Sequence, residues 1–298
     1  MIDQRINTFV ILSKELNYSR TAELLSLTQP AVTQHIQSIE NEFNIKLFNK
    51  NGRSLIITKE GELLLKYCLR LQSLNTTMHI AMEDMKKNLV HLDIGLTPTV
   101  SEYLVPEILK KINEDQKTTI SIHIHPIKEL YERLDTYEFD FLIGDELLGD
   151  TKDYVNSKIQ DDQLVFIASP NSKLASMTDL NLEDLREAPL ILRHTKFSTR
   201  NLLTSYLTLR GDNINNYNMV LEIESIPVIK DLVMIDYGIS VLPYVVCKKE
   251  ADEGKIKILD VKNFKIKRST YIIYRKDADL KSIINGFVNK IRNDYHLD

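Results

Sequence analysis

The sequence predicts an α/β protein in three parts: a helical head closed by a short hairpin, one long amphipathic helix, and a two-lobed α/β domain. Three observations carry this prediction. Residues 1–58 combine helix-start residues with apolar positions at helical spacing. Residues 59–87 carry an apolar line of heptad type. From residue 90 onward, short apolar runs alternate with helical stretches, the pattern of a parallel sheet covered by helices.

In the head, Ile6, Phe9, Val10 and Leu16 form the apolar stripe of a first helix. A short second helix spans 19–25, and Ser26-Leu27 supplies a tight turn. Thr28 is placed to cap a third helix, with Pro30 in its first turn. Val32, Ile36 and Ile39 fall on one stripe, which Phe43 continues. Pro30, Gln34 and Gln37 face the other way, and Thr33 lies on the flank. This outer face is neutral and rich in amides, whereas a helix used only for packing more often shows Glu and Lys there. Glutamine pairs bidentately with adenine in the major groove, and threonine bonds base edges or touches a thymine methyl. Two helices joined by a short turn, the second with a polar exposed face, form a helix-turn-helix. After it, Lys50-Asn51-Gly52-Arg53 suits a hairpin turn between Leu47-Phe48 and the alternating run 54–58. Such a wing carries Lys50 and Arg53 to phosphates or into the minor groove.

In order and density, these residues resemble the N-terminal domain of the LysR-type transcriptional regulators. The matching positions are Ala22, Thr28-Gln29-Pro30-Ala31-Val32, Ile36 with Ile39-Glu40, Leu47-Phe48, and Thr58 with Gly61. The resemblance implies double-stranded DNA as partner. Gln29, Thr33, Gln34 and Gln37 would read bases, while Ser19, Arg20, Lys50 and Arg53 would hold the backbone or minor groove. Thr28 and Pro30 complete the DNA-contacting set. The chain departs from the family in carrying Gln at 34 and 37, and Lys where Arg is usual at 50. Residues 1–58 hold six Lys or Arg against five Asp or Glu. So small a positive excess makes binding by two heads matter more than usual.

The whole chain has 298 residues and a formal net charge of −4, which excludes a protein that coats nucleic acid or anionic membrane over its whole surface. Cys68 and Cys247 lie far apart and in no metal-ligand spacing, as expected of buried thiols in a reducing cytoplasm. No basic-then-apolar leader stands at the N-terminus, and no apolar stretch is long enough to span a bilayer. No membrane role is therefore expected.

Thr58 can cap the long helix, with Glu60 and Glu62 near the positive end of its dipole. Leu64, Tyr67, Leu71, Leu74, Met78, Ala81 and Met85 step by threes and fours, forming a seam for a second copy of the helix. The expected domains are the head at 1–58, a dimerisation helix at 59–88 and an effector-binding domain at 89–298. Its first lobe takes about 89–163 and 268–298, and its second about 164–267.

Strands are expected at 92–96, 119–125 and 139–143, with helices near 101–114 and 127–137. A second series follows with strands at 164–168, 190–192 and 218–223, and helices at 198–210 and 227–237. A strand at 270–274 then leads into a terminal helix at 280–295. Two such lobes resemble the periplasmic-binding-protein-like effector domain of the same family, whose Gly-x-x-x-Leu-Pro feature appears as Gly238 to Leu242-Pro243 and whose short acidic strand appears as Phe139-Asp140. In open α/β sheets, ligands sit at the carboxyl ends of strands, facing helix N-termini. Three such ends carry small hydroxyls or apolar flanks: Thr97, Thr99, Val100 and Ser101; Phe197, Ser198 and Thr199; Ser225, Ile226 and Pro227. The resemblance places all three along the effector cleft, although most such Ser and Thr are simple helix caps. Arg193, His194 and Lys196 add positive charge, so the expected effector is a carboxylate or other oxyanion.

No nucleophile elbow, P-loop, dinucleotide fingerprint or paired-Cys motif is present, so no catalytic or metal residues are assigned and no cofactor is expected. His123 and His125 share a strand face without a third ligand. The expectation is a cytoplasmic, ligand-responsive transcription regulator, homodimeric or homotetrameric, with RNA polymerase as a further partner. The alternative is a small-molecule binding protein whose head mediates protein contacts.

Overall fold

The computed structural model describes residues 3–51, 54–87, 90–112, 118–148 and 151–278. Gly52, Arg53 and the helix expected at 280–295 fall outside these residues, as do the side chains of Lys50 and Met85. The chain divides into two compact units, the first comprising Met1–Leu92, Lys117–Ile120 and Glu132–Asp140, and the second the remainder.

In the first unit, three caps set where the head helices begin. Asp3, Asn17 and Thr28 precede α1 (Gln4–Glu15), α2 (Tyr18–Leu25) and α3 (Gln29–Phe43), and each side chain accepts a first-turn N–H. Such a bond contributes about 1 kcal/mol. Each helix stops at a left-handed residue: Leu16 at φ 49°, Ser26 at 54° and Asn44 at 53°. Phe9, Leu12, Val32, Ile36 and Ile39 are buried where the helices meet, each side chain contributing about 1.5–3 kcal/mol. Leu16 does not join the α1 stripe as expected; it lies beyond the last helical turn and is 42% exposed. Phe43 does not continue the α3 stripe, because the chain turns at Asn44 and Ile45 and Leu47 close the core in its place. Phe43 is 55% exposed.

The hairpin pairs β1 (Phe48–Asn51) with β2 (Ser54–Ile57), Asn51 opposite Ser54. Glu40, buried at the end of α3, anchors its base by accepting the Leu47 N–H at 2.9 Å and the Lys46 ammonium at 2.6 Å. Thr58 then links the hairpin to α4 (Lys59–Lys87): its hydroxyl donates to the Lys46 carbonyl at 2.6 Å and accepts the Gly61 N–H at 3.0 Å. Gly61 lies so close to this base that a Cβ there would stand 2.5 Å from the Leu47 carbonyl oxygen and 2.6 Å from Ile57. Gly61→Ala is therefore expected to destabilise the head by about 1–3 kcal/mol while leaving the second unit unchanged. Calorimetry of the full chain, with two resolved transitions, checks this.

The first turns of α4 complete the head core. Leu64, expected on the intermolecular seam, packs with Leu65, Cys68 and Leu69 against the head. Within the same unit, Lys66 pairs with Asp135 at 2.8 Å, and Arg70 donates to the Asp135 carbonyl at 2.7 Å while lying over the Tyr137 ring.

From residue 90 onward the chain follows the expected alternation: β3 (Val90–Leu96), α5 (Pro98–Ile112), β4 (Thr118–Ile124), α6 (Ile127–Asp135), β5 (Phe141–Gly144), β6 (Tyr154–Ala168), β7 (Leu190–Leu192), α7 (Ser198–Leu209), β8 (Met219–Glu222), α8 (Ile226–Met234), β9 (Ile239–Pro243), α9 (Tyr244–Asp252), β10 (Lys257–Ile258) and β11 (Ile266–Arg275). The sheet order is β4-β3-β5-β11-β6-β9-β7-β8, with β10 beside β6. β3 and β5 run parallel at one end, and β9, β7 and β8 run parallel at the other. Between them β6 and β11 form a long antiparallel ribbon from Tyr154–Arg275 to Leu164–Ile266. At 15 residues, β6 spans about 50 Å.

This ribbon corrects the expectation of a strand beginning at 164. Asn156, Ser157, Lys158, Gln160, Asp161 and Asp162 look like loop residues, yet they pair because β11 supplies a complete ladder. Sheet pairing overrides the weak strand preference of Asn and Asp. The strand β9 and helix α9 were likewise not expected from the sequence. Gly238 before β9 is fixed by close approach: a Cβ would lie 2.4 Å from the Pro189 carbonyl oxygen.

Candidate functional site

On the head, α3 presents Gln29, Pro30, Gln34 and Gln37 to solvent, with Thr33 half-buried. The Thr33 hydroxyl bonds back to the Gln29 carbonyl at 3.1 Å, and Ser19 lies 3.4 Å from the Gln29 amide oxygen. Gln34 and Gln37 thus remain extended donors and acceptors, suited to base edges. Arg20 is exposed but pairs with Glu23 at 3.2 Å, a contact worth little in water. His35, on the same helix, turns to the Thr8 hydroxyl at 2.8 Å and belongs to the packing of α1 on α3.

In the second unit, three helix N-termini of the expected cleft converge on one side chain. Arg193 follows β7 and is 1% exposed. Its Nη1 donates to the Thr99 hydroxyl at 2.9 Å, and its Nε and Nη2 donate to the Glu224 carbonyl at 3.2 and 3.1 Å. Its guanidinium carbon lies 3.7 Å from the centre of the Phe197 ring. One arginine therefore touches the segments that begin α5, α7 and α8. Burial pulls its guanidinium down to about 10, against the attraction of Asp145. Among the described residues, no carboxylate comes within ion-pair distance of it.

Asp145, at the end of β5, forms a second junction beside the first. It accepts from Ser198 at 2.5 Å and from Arg268 of β11 at 2.6 Å. Burial pushes its carboxyl up, but the Arg268 charge and the Ser198 and Thr97 hydroxyls outweigh that and hold it below the usual carboxylate range. Neither Asp145 nor Arg268 was marked by the sequence pattern.

The remaining cleft residues divide. Thr97, Thr99, Val100, Phe197 and Thr199 are buried, as is Ile226. Ser101 bonds back to the Pro98 carbonyl inside α5, and Ser225 caps α8 through the Val228 N–H, so of these two hydroxyls only that of Ser225 is an ordinary cap. Pro227 is exposed. His194 and Lys196 do not supply the expected free positive charge, since they pair with Glu222 at 3.6 Å and Glu224 at 2.5 Å. His123 and His125 pair with Asp93 and Glu129. Among the described residues, no group of three or more His, Cys, Asp or Glu is placed to hold a metal ion. Both cysteines are buried, which pushes Cys68 up to about 11 and Cys247 up to about 12.

The family model for the LysR substrate binding domain matches residues 90–295, and that for the bacterial regulatory helix-turn-helix protein of the lysR family matches residues 4–62. The chain belongs to the LysR family of transcriptional regulators. It is a DNA-binding regulator with an effector domain, not an enzyme. An uncharacterized HTH-type transcriptional regulator of Methanocaldococcus jannaschii is 27% identical over 284 residues, 94% of this chain and 95% of the relative. The fold is similar to that of CbnR, a LysR family transcriptional regulator, with TM-score 0.68, 17% identity and 99% of each chain covered. It is also similar to the Synechocystis CcmR regulatory domain in complex with 2-PG, with TM-score 0.60 and 22% identity over 69% of this chain and 97% of that one. Among the described residues, no helix is long and apolar enough to cross a membrane.

Proposed function

We propose that this LysR-family regulator reads DNA through α3 and answers to a small oxyanionic effector, a carboxylate above all, held by Arg193. The observation that carries the effector class is a buried guanidinium whose hydrogen bonds, among the described residues, end on neutral acceptors, Thr99 and the Glu224 carbonyl. A desolvated cation without a counter-ion is costly, and an oxyanion entering beside it relieves that cost. The domains are read as head 1–58, helix 59–88 and effector domain 89–298. Regulation then follows from ligand-dependent packing of the two lobes in a homodimer or homotetramer, with RNA polymerase as the downstream partner. Two buried free thiols fit action in a reducing cytoplasm. The 2-PG complex of the CcmR domain supports a small-molecule effector for this fold.

A thermal-shift screen against carboxylates, inorganic oxyanions and neutral aromatics tests the class. At one hundred times its dissociation constant, a ligand stabilises by about 2.7 kcal/mol, a shift of several degrees. The expected hit is an oxyanion whose shift disappears in Arg193→Gln. A hit confined to neutral compounds overturns the anionic reading and leaves the regulator intact.

For DNA, Gln34→Ala is expected to narrow the gap between specific and random duplexes by about 1–3 kcal/mol, whereas Arg53→Ala weakens both alike. Titration of both duplexes at fixed salt separates the two. Equal losses for both variants on both duplexes would contradict base reading by Gln34.

A further inference from the structure

Helix α6 ends on a residue that its geometry does not favour. The Tyr137 N–H bonds the Leu134 carbonyl at 3.1 Å and the Glu138 N–H bonds the Arg133 carbonyl at 3.0 Å, the two bonds of a Schellman cap. Tyr137 takes the left-handed position of that cap at φ 59°, where glycine, which has no Cβ, is the usual occupant. Such a backbone persists only where neighbouring groups hold it. The neighbour here is α4, which lies with this segment in the first compact unit.

Lys66, Arg70 and Ser73 recur at spacings of four and three, so they share one face of α4, beside the apolar line of Leu71 and Leu74. All three reach the end of α6. The Lys66 ammonium pairs with the Asp135 carboxylate at 2.8 Å, Arg70 Nε donates to the Asp135 carbonyl at 2.7 Å, and the Ser73 hydroxyl donates to the Tyr137 carbonyl. The Arg70 guanidinium carbon also lies 5.2 Å from the centre of the Tyr137 ring. A helix leaves its last carbonyls unsatisfied and its C-terminus partly negative. Two cations and a hydroxyl of α4 therefore complete α6 from outside it. The chain beyond is short and braced: Thr136 donates to the Glu138 carboxylate at 3.0 Å, Phe139 is buried, and β5 begins at Phe141. Asp145, which accepts from Ser198 and Arg268, follows β5 directly.

We propose that Lys66, Arg70 and Ser73 clamp the end of α6, so that ligand in the cleft and DNA at the heads act on each other through α4. This relay rests on the regulator reading and names the residues that carry it. Tyrosine stands where glycine would cap better because its ring gives Arg70 a surface to hold. A shift of β5 loads the clamp, and a shift of α4 uncaps α6. Coupling between two binding sites is reciprocal, so bound DNA reports on the relay without any ligand.

Two measurements on the full-length protein test it. Carbodiimide treatment of mixed light and isotope-labelled protein joins amines to carboxylates in contact. The Lys66 nitrogen forms an amide bond with the Asp135 carboxyl carbon, and the displaced oxygen leaves on the carbodiimide as its urea. The expected product links these residues within one chain; no link, or a link only between chains, overturns the clamp. Hydrogen exchange is then followed by mass spectrometry with and without a duplex selected for binding from a random pool. In the parent, DNA is expected to slow exchange at α3 and to change it about fivefold or more across 131–145. Arg70→Ala with Ser73→Ala is expected to keep the response of α3 and lose that of 131–145. Tyr137→Gly, which keeps the cap and removes the ring, is expected to reduce the 131–145 response without lowering the melting temperature. The relay is overturned if 131–145 stays silent in the parent while α3 is protected, or responds as strongly in both variants. If α3 itself is unprotected, the DNA reading fails and the relay falls with it.

Discussion

Asp145→Ala is expected to cost about 3–5 kcal/mol and to lower the melting temperature of the effector domain by about 6–20 °C. The side chains of Asp145 and Arg268 are 3% and 1% exposed, and their charges meet at 2.6 Å. Removing the carboxylate leaves a buried guanidinium whose nearest remaining partner is Asp162, 3.9 Å from Nε. Its Nε and Nη1 already lack hydrogen-bond partners, so losing the Nη2 bond to Asp145 strips the guanidinium of its remaining hydrogen bond among the described residues. The size of the effect thus comes from the stranded cation, not from a strong pair, because the desolvation cost of a buried pair offsets most of its attraction. The double variant Asp145→Leu with Arg268→Met is accordingly expected to melt closer to the parent than either single variant does. Differential scanning calorimetry decides this, and two additive losses would count against the pair.

The same pair sets an acid limit. The Asp145 carboxyl titrates below its unfolded value of about 3.9 because the folded chain stabilises its ionised form. Its contribution to stability is therefore fully present above that value and is lost as pH falls through the lower, folded one. Acid denaturation followed by circular dichroism should show this component in the parent and not in Asp145→Ala.

How much of this was legible in the sequence depended on whether the signal was local. The head was readable because caps, apolar spacing and turn residues sit within a few positions of one another. Thr28, Pro30 and the Val32, Ile36, Ile39 stripe all stand where that reading puts them. Thr58 and Gly61 also gained a mechanical meaning: one ties α4 to the hairpin, and the other lets the backbone of α4 approach Leu47. The ribbon was not readable. Gln160, Asp161 and Asp162 form a strand because β11, about a hundred residues later, offers partners, and nothing local records that offer. Asp145, Ser198 and Arg268 meet for the same reason, each from a different element. The cleft segments were found as three helix starts, but the reading gave His194 and Lys196 the same weight as Arg193. Their acidic partners, Glu222 and Glu224, lie on another strand-to-helix connection.

Leu71→Glu combined with Leu74→Glu is expected to weaken binding to a duplex carrying two half-sites by about 10²–10⁴-fold while leaving single half-site binding unchanged. Beyond the head core, α4 keeps a line of large apolar side chains in water: Tyr67 at 53% exposure, Leu71 at 48%, Leu74 at 50% and Met82 at 60%. Together with Met78, they recur at spacings of three and four, so they lie along one side of the helix. Contiguous apolar surface of this kind marks an association face, and a second copy of the same helix matches its period. Leu64 is excluded from that face because it packs on the head, and Met82 replaces it as an exposed member. Both substituted positions are half in solvent, so the monomer should keep its melting behaviour. The heads are nearly neutral, and one head gains little from phosphate contacts. Tethering a second head raises its effective concentration at the neighbouring half-site to about millimolar, and this gain disappears when the helices part. Sedimentation of the free protein and titration of the two duplexes measure the two halves of the claim. If the doubly substituted protein still binds the paired site at parental affinity, the line on α4 is not the surface that joins the heads.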